Sequence, residues 1–150
     1  MDGELMGKIP TPKANQFLEE LKTIPHLIET LERDANLMSR SLVKSPQWSD
    51  IRVSGGVKQS QEDKNIKMLH MVSYYSDQIE RLKDRRQEMA NLIVQSMGIC
   101  ESHVLLTTYL DCDGDYERAR ERLNIGNRNK YFMFVRRGKE SLELILKNTN

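Results

Sequence analysis

Apolar residues recur along the first third of the chain at intervals of four and three, running Phe17, Leu21, Ile24, Ile28, Leu31, Ala35, Met38 and Leu42. Such a heptad seam is the mark of a helix that packs one stripe against another helix. Pro25 interrupts it chemically. With no N–H and a ring that crowds the carbonyl four residues back, it predicts a kink or short break near Thr23. A second seam, Val72, Tyr75, Ile79, Leu82, Arg86, Met89 and Ile93, marks another long helix from about Glu62 to Met97. Arg86 falls in a core slot, where an unpaired buried charge is costly. It is therefore expected to snorkel at the edge of the seam or to specify register. Two such helices predict an αα-hairpin, a dimerisation device, or both.

Between the seams, Val43 to Gln61 follows neither the helical nor the strand period. It is rich in Ser and Gly and contains the one tryptophan, Trp48. A long loop or tether is expected, with Trp48 anchored on the hairpin in preference to contacting a partner. Residues 1–12 hold two prolines and read as a disordered tail.

The C-terminal third changes character. Asp111-Cys-Asp-Gly-Asp115 reads as a turn, with Asp115 capping a helix that starts at Tyr116 and keeps Tyr116, Ala119 and Leu123 on one face. Asn124-Ile-Gly126 then supplies a sharp turn, Asn and Gly being the residues that accept left-handed backbone. A second helix begins near Asn127 and turns Tyr131, Val135 (or Phe134), Gly138 and Leu142 inward. The linking Leu-Asn-Ile-Gly fits the turn of a helix-turn-helix, with an upstream helix from about Ser102 to Leu110 closing a three-helix unit. Arg120 stands where such units carry a small apolar residue. The second helix is also unusually aromatic, and Phe132 is the ring expected to face outward. The resulting expectation is an all-α chain: a tail over 1–12, a helical hairpin or dimerisation arm over 13–98 with its loop at 43–61, and a helix-turn-helix domain over 99–150.

Composition sharpens this reading only in one region. The 150 residues carry a net charge of +1, with 30% charged and 6% aromatic residues, which suits one or two small soluble domains. Between Arg118 and Lys139, however, eight basic residues face one acidic residue, Glu121. A concentrated positive field of this kind suits a polyphosphate backbone, whose neutralisation releases counterions. On the second helix, Arg128, Asn129 and Phe132 are placed to read base edges in a major groove. Arg118, Arg122, Lys130, Arg136, Arg137 and Lys139 are placed to contact phosphates.

Catalytic and metal readings find little support. His26, His70 and His103 are scattered, and no Cys or carboxylate stands at ligand spacing from them. Asp111, Asp113 and Asp115 start like a calcium loop, but Arg122 occupies the closing carboxylate position. Gly55-Gly56 is followed by no Lys-Ser/Thr phosphate-binding signature, and no strand is expected before it. Neither Cys100 nor Cys112 has metal-like spacing, and with eight methionines they suit a reducing interior. The expectation is a cytoplasmic protein that is not an enzyme, has no cofactor, no metal, no small-molecule substrate and no membrane span.

From Gln16 to Lys147 the chain resembles, in order, the small late-transcription regulators of phages and prophages of low-GC Gram-positive bacteria, the ArpU/RinA type. The resemblance rests on the leading Phe17-Leu-Glu-Glu-Leu, the loop Asp50-Ile-Arg-Val-Ser-Gly-Gly, the helix Ile79-Glu-Arg-Leu-Lys-Asp-Arg-Arg86, and the end Arg136-Arg-Gly-Lys-Glu-Ser-Leu142. The C-terminal unit resembles region 4 of a sigma-70 factor. The resemblance implies a DNA-binding activator of late phage genes that works with host RNA polymerase on double-stranded DNA. A homodimer is expected through the long helices. Two other readings stand beside it: a small terminase-like DNA-packaging adaptor, and a protein-interaction module whose basic helix binds an acidic partner.

Overall fold

The computed structural model describes residues 10–44 and 61–149. They form five α-helices: α1 Pro12–Lys44, α2 Gln61–Ser96, α3 Ile99–Leu106, α4 Tyr116–Leu123 and α5 Arg128–Thr149, with a π-helical turn, Thr107–Asp111, continuing α3. No strand occurs among the described residues, and the fold is all-α. Most of the expected tail and loop, Trp48 included, lies outside the described residues. Their edges do not: α1 starts at Pro12, a residue suited to the first helical position because its missing N–H has no partner to lose there, and continues to Lys44.

The helix also runs through Pro25 without the break expected near Thr23. Thr23 Oγ1 donates back to the Glu19 carbonyl at 2.8 Å, two residues before Leu21, whose carbonyl Pro25 leaves without a backbone donor.

By its contacts the chain divides into two compact units, one comprising the described residues 10–25 and 85–149, the other 26–44 and 61–84. The expected boundary between 98 and 99 thus falls inside the first unit. In that unit Leu18 and Leu21 of α1, Met89 and Ile93 of α2, Leu105 of α3, and Tyr131 and Leu142 of α5 are fully buried. The exposed Arg85 Nε donates to Glu20 Oε2 at 2.9 Å, linking α2 to α1. Arg86, next to it on the second seam, is half-buried, as a snorkelling side chain would be. In the second unit Ile28 and Ile79 are buried, while Leu31, Ala35, Met38, Val72, Tyr75 and Leu82 of the two seams are only half-buried. The side chain of Leu42 is outside the described set.

Two local features set up the C-terminal end. The helix expected over Ser102–Leu110 begins three residues earlier and closes in the π turn, where the Cys112 N–H reaches back to the Thr107 carbonyl at 3.0 Å. That widened turn buries Thr107, Thr108 and Tyr109 in succession. Asp113 and Gly114, both at positive φ, then reverse the chain. The last helix is 22 residues long. No Gly or Pro follows Gly138, and the inward stripe of Tyr131, Val135, Gly138 and Leu142 continues unbroken.

Candidate nucleic-acid interface

Asp115 caps α4 as its position predicted, its Oδ1 accepting from the backbone N–H groups of Glu117 and Arg118 at 3.1 and 3.2 Å. At the other end Asn124 adopts the left-handed conformation, φ 59° and ψ 39°, and turns the chain toward α5. Gly126 was expected to share that role. It does not: its φ is not positive, and a Cβ there would meet nothing within 4 Å. Asn127 caps α5, its Oδ1 accepting from the Lys130 N–H at 3.1 Å.

Arg120, the residue that broke the expected pattern, has a structural use. Ala119 beside it is the one that points into the core. The Arg120 guanidinium donates through Nη1 to the Gly126 carbonyl at 3.0 Å and through Nη2 to Glu117 Oε1 at 2.7 Å. The turn is therefore pinned by a side chain in place of a small apolar contact. The other Glu117 oxygen accepts from Arg128 Nη1 at 3.2 Å. The Arg120 bond holds the Glu117 carboxyl below the ordinary glutamate range, and the Arg128 charge adds to the effect.

Behind this turn lies an aromatic cluster. Tyr131 is fully buried and shares a 2.6 Å hydrogen bond with Thr108 from the π turn. Its ring meets Phe132 edge-on at 5.0 Å between centroids, and Phe132 meets Tyr116 at 5.2 Å. Burial pushes the Tyr131 phenol above its ordinary range. Burial, with the hydrogen bond to Tyr116, does the same to Tyr109. Phe132, expected as an outward ring, is thus half-buried and packed on its neighbours. The Arg128 guanidinium carbon lies 5.3 Å from its centroid, within cation–π range. Val135 takes the buried position and Phe134 is half-buried.

An open groove of about 1030 Å³ runs along α5. Arg128, Asn129, Phe132, Arg136 and Lys139 line it, so it gathers all three expected base-reading residues and two of the phosphate set. Arg118 and Arg122 line a separate small depression with Glu121 and the buried Cys112. Lys130 and Arg137 stand elsewhere on α5: Arg137 is about two and a half turns beyond Arg128, and so projects from the opposite side of the helix. The groove's facing wall was invisible in the sequence pattern. It is Pro10, Thr11 and Asn15, at the start of α1. The anchor for that wall is Glu143, which accepts from the Ala14 N–H. Tyr116, which the sequence pattern places on one face of its helix, and Met133, for which that pattern carries no role, also line the groove.

Among the described residues, no group of three His, Cys, Asp or Glu converges as a metal site. No described helix is long and apolar enough to cross a membrane.

A family model described as a protein of unknown function matches residues 42–143, a span that includes all of α4 and the α5 side of the groove but not its α1 wall. No curated protein and no solved structure matches the chain.

Proposed function

The chain belongs to the DUF1492 family, and from that premise we propose that it is a sequence-specific DNA-binding transcriptional regulator, with the basic groove along α5 as its duplex interface. The observation that carries this is the convergence of Arg128, Asn129, Arg136 and Lys139 on one open groove. Two of these can pair bidentately with base edges, Arg with guanine and Asn with adenine. The other two supply the cationic contacts that hold a phosphate backbone. In this reading α4, the Asn124 turn and α5 act as a helix-turn-helix, with α5 entering the major groove. Phe132 serves as the platform that orients Arg128.

DUF1492 is a phage-associated family. With the ArpU/RinA-type resemblance, this supports regulation of late phage or prophage genes, as an activator working with host RNA polymerase in the bacterial cytoplasm. A homodimer fits the second unit. There, apart from Ile28 and Ile79, the described apolar residues of the two heptad seams stay half-buried, and Leu37, Ile66, Leu69 and Tyr74 are exposed. A second copy would cover them and give two recognition helices on a two-fold site.

The test is duplex selection from a random pool, followed by affinity measurements across a salt series. Arg128→Ala should relax the preference at one or two base pairs. Arg136→Ala should weaken binding to every duplex and flatten the log–log salt slope by about one. Arg137→Ala should do less than Arg136→Ala. Failure to select any duplex, at low salt and with folded protein, would overturn the reading. Light scattering at micromolar concentration should give a dimer.

A further inference from the structure

Arg128 is exposed, yet it is not loose. Phe132 supports its face, and Glu117 Oε2 holds its Nη1 at 3.2 Å. Glu117 is held in its turn, because Oε1 accepts from Arg120 Nη2 at 2.7 Å and Arg120 is tied to the Gly126 carbonyl across the turn. The carboxylate is therefore fixed from both ends of the α4–α5 turn and bridges the two guanidinium groups. Exposed ion pairs of this kind contribute little to folding stability. Their larger effect is on what the cation does next.

We propose that Glu117 is a specificity-determining positioning residue: it orients the Arg128 guanidinium for a base edge and neutralises it toward isolated phosphates. The inference rests on the DNA-binding reading above. An arginine presents five N–H donors in a planar fork. Glu117 takes one of them, which leaves enough for a bidentate pair with the O6 and N7 acceptors of guanine. A guanine edge is neutral and coplanar with such a fork, so it is met without displacing Glu117. A phosphate approaching the same arginine meets the Glu117 charge and gains less from counterion release. Specificity is a difference between two affinities, and a carboxylate that lowers the unwanted one raises it. Arg136 and Lys139, for which no comparable carboxylate partner is seen among the described residues, keep their full attraction for the backbone.

The experiment compares wild type, Glu117→Gln, Arg128→Ala and the double variant. Each is titrated by fluorescence anisotropy with a duplex selected by the wild-type protein and with an unrelated duplex, across a salt series, after circular dichroism shows native helix content. Glu117→Gln should bind the unrelated duplex about threefold tighter near 0.1 M salt, with a salt slope steeper by about one. Its ratio of selected to unrelated affinity should fall roughly tenfold, the scale of one bidentate base contact. In the Arg128→Ala background the Glu117 substitution should do almost nothing. Equal changes on both duplexes, or an undiminished Glu117 effect without Arg128, would overturn the positioning role while leaving DNA binding intact. A wild-type protein that selects no duplex would overturn both.

Discussion

The Ala14 N–H donates to Glu143 Oε1 across 2.8 Å, joining residues 129 apart in the chain. Ala14 is fully buried and lies in the first turn of α1, where backbone donors have no partner within the helix. Glu143 is 1% exposed and stands on α5. One carboxyl group thus caps a remote helix and holds the α1 wall beside the groove. Glu143→Ala leaves a buried N–H without an acceptor and should cost about 1–3 kcal/mol in urea unfolding. Glu143→Gln keeps an oxygen at that place and should cost less. Equal losses in the two variants would mean that the side chain acts by filling space alone.

The crossing of α3 and α5 depends on the missing side chain of Gly138. A Cβ there would stand 2.8 Å from Leu105 Cδ1 and 3.1 Å from Met97 Sδ, and Leu105 is fully buried. Alanine gains up to about 1 kcal/mol of helix propensity over glycine. Overpacking a close crossing costs about 1–3 kcal/mol. The second effect should prevail, so Gly138→Ala is expected to lower the melting temperature. A raised Tm would show that Leu105 has room to move.

Thr108 and Tyr131 form a polar pair that is sealed on all sides. Thr108→Val should destabilise by about 1–3 kcal/mol, because it strands the phenol hydroxyl in the core. Tyr131→Phe removes the other partner. A double-mutant cycle between the two should return a coupling of about 1 kcal/mol. Additive losses would mean that the short hydrogen bond contributes nothing net.

Glu117 titrates low because Arg120 bonds its charged form, with the Arg128 field adding to this. A carboxyl depressed in the folded state stabilises it at pH above the unfolded pKa. That contribution disappears as the pH falls through the folded value. Arg120→Ala should move the Glu117 midpoint up toward the ordinary glutamate value. Arg128→Ala should move it in the same direction by less. Carbon-detected NMR titration of the Glu117 side chain reads both shifts, and an unmoved midpoint in Arg120→Ala would refute the assignment.

Periodicity alone carried the all-α class, the two long helices and the inward stripe of α5, because burial on one face of a helix imposes a spacing that survives in any single sequence. Asp115 and Asn124 were legible for a similar reason: capping and left-handed turns are local demands on one residue. Tertiary contact decided the rest. Arg120 broke the expected apolar pattern, and only the nearby Gly126 carbonyl and Glu117 carboxylate explain its place. Phe132 looked like a free ring until Tyr116 and Tyr131 were seen against it. Gly126 looked like the glycine of a strained turn, and its backbone makes no such demand. Above all, the groove's second wall comes from Thr11 and Asn15, more than a hundred residues away from α5 in the chain. No local pattern encodes that neighbour. It is set by which buried faces meet, and by one carboxyl group, Glu143, placed to receive the Ala14 N–H.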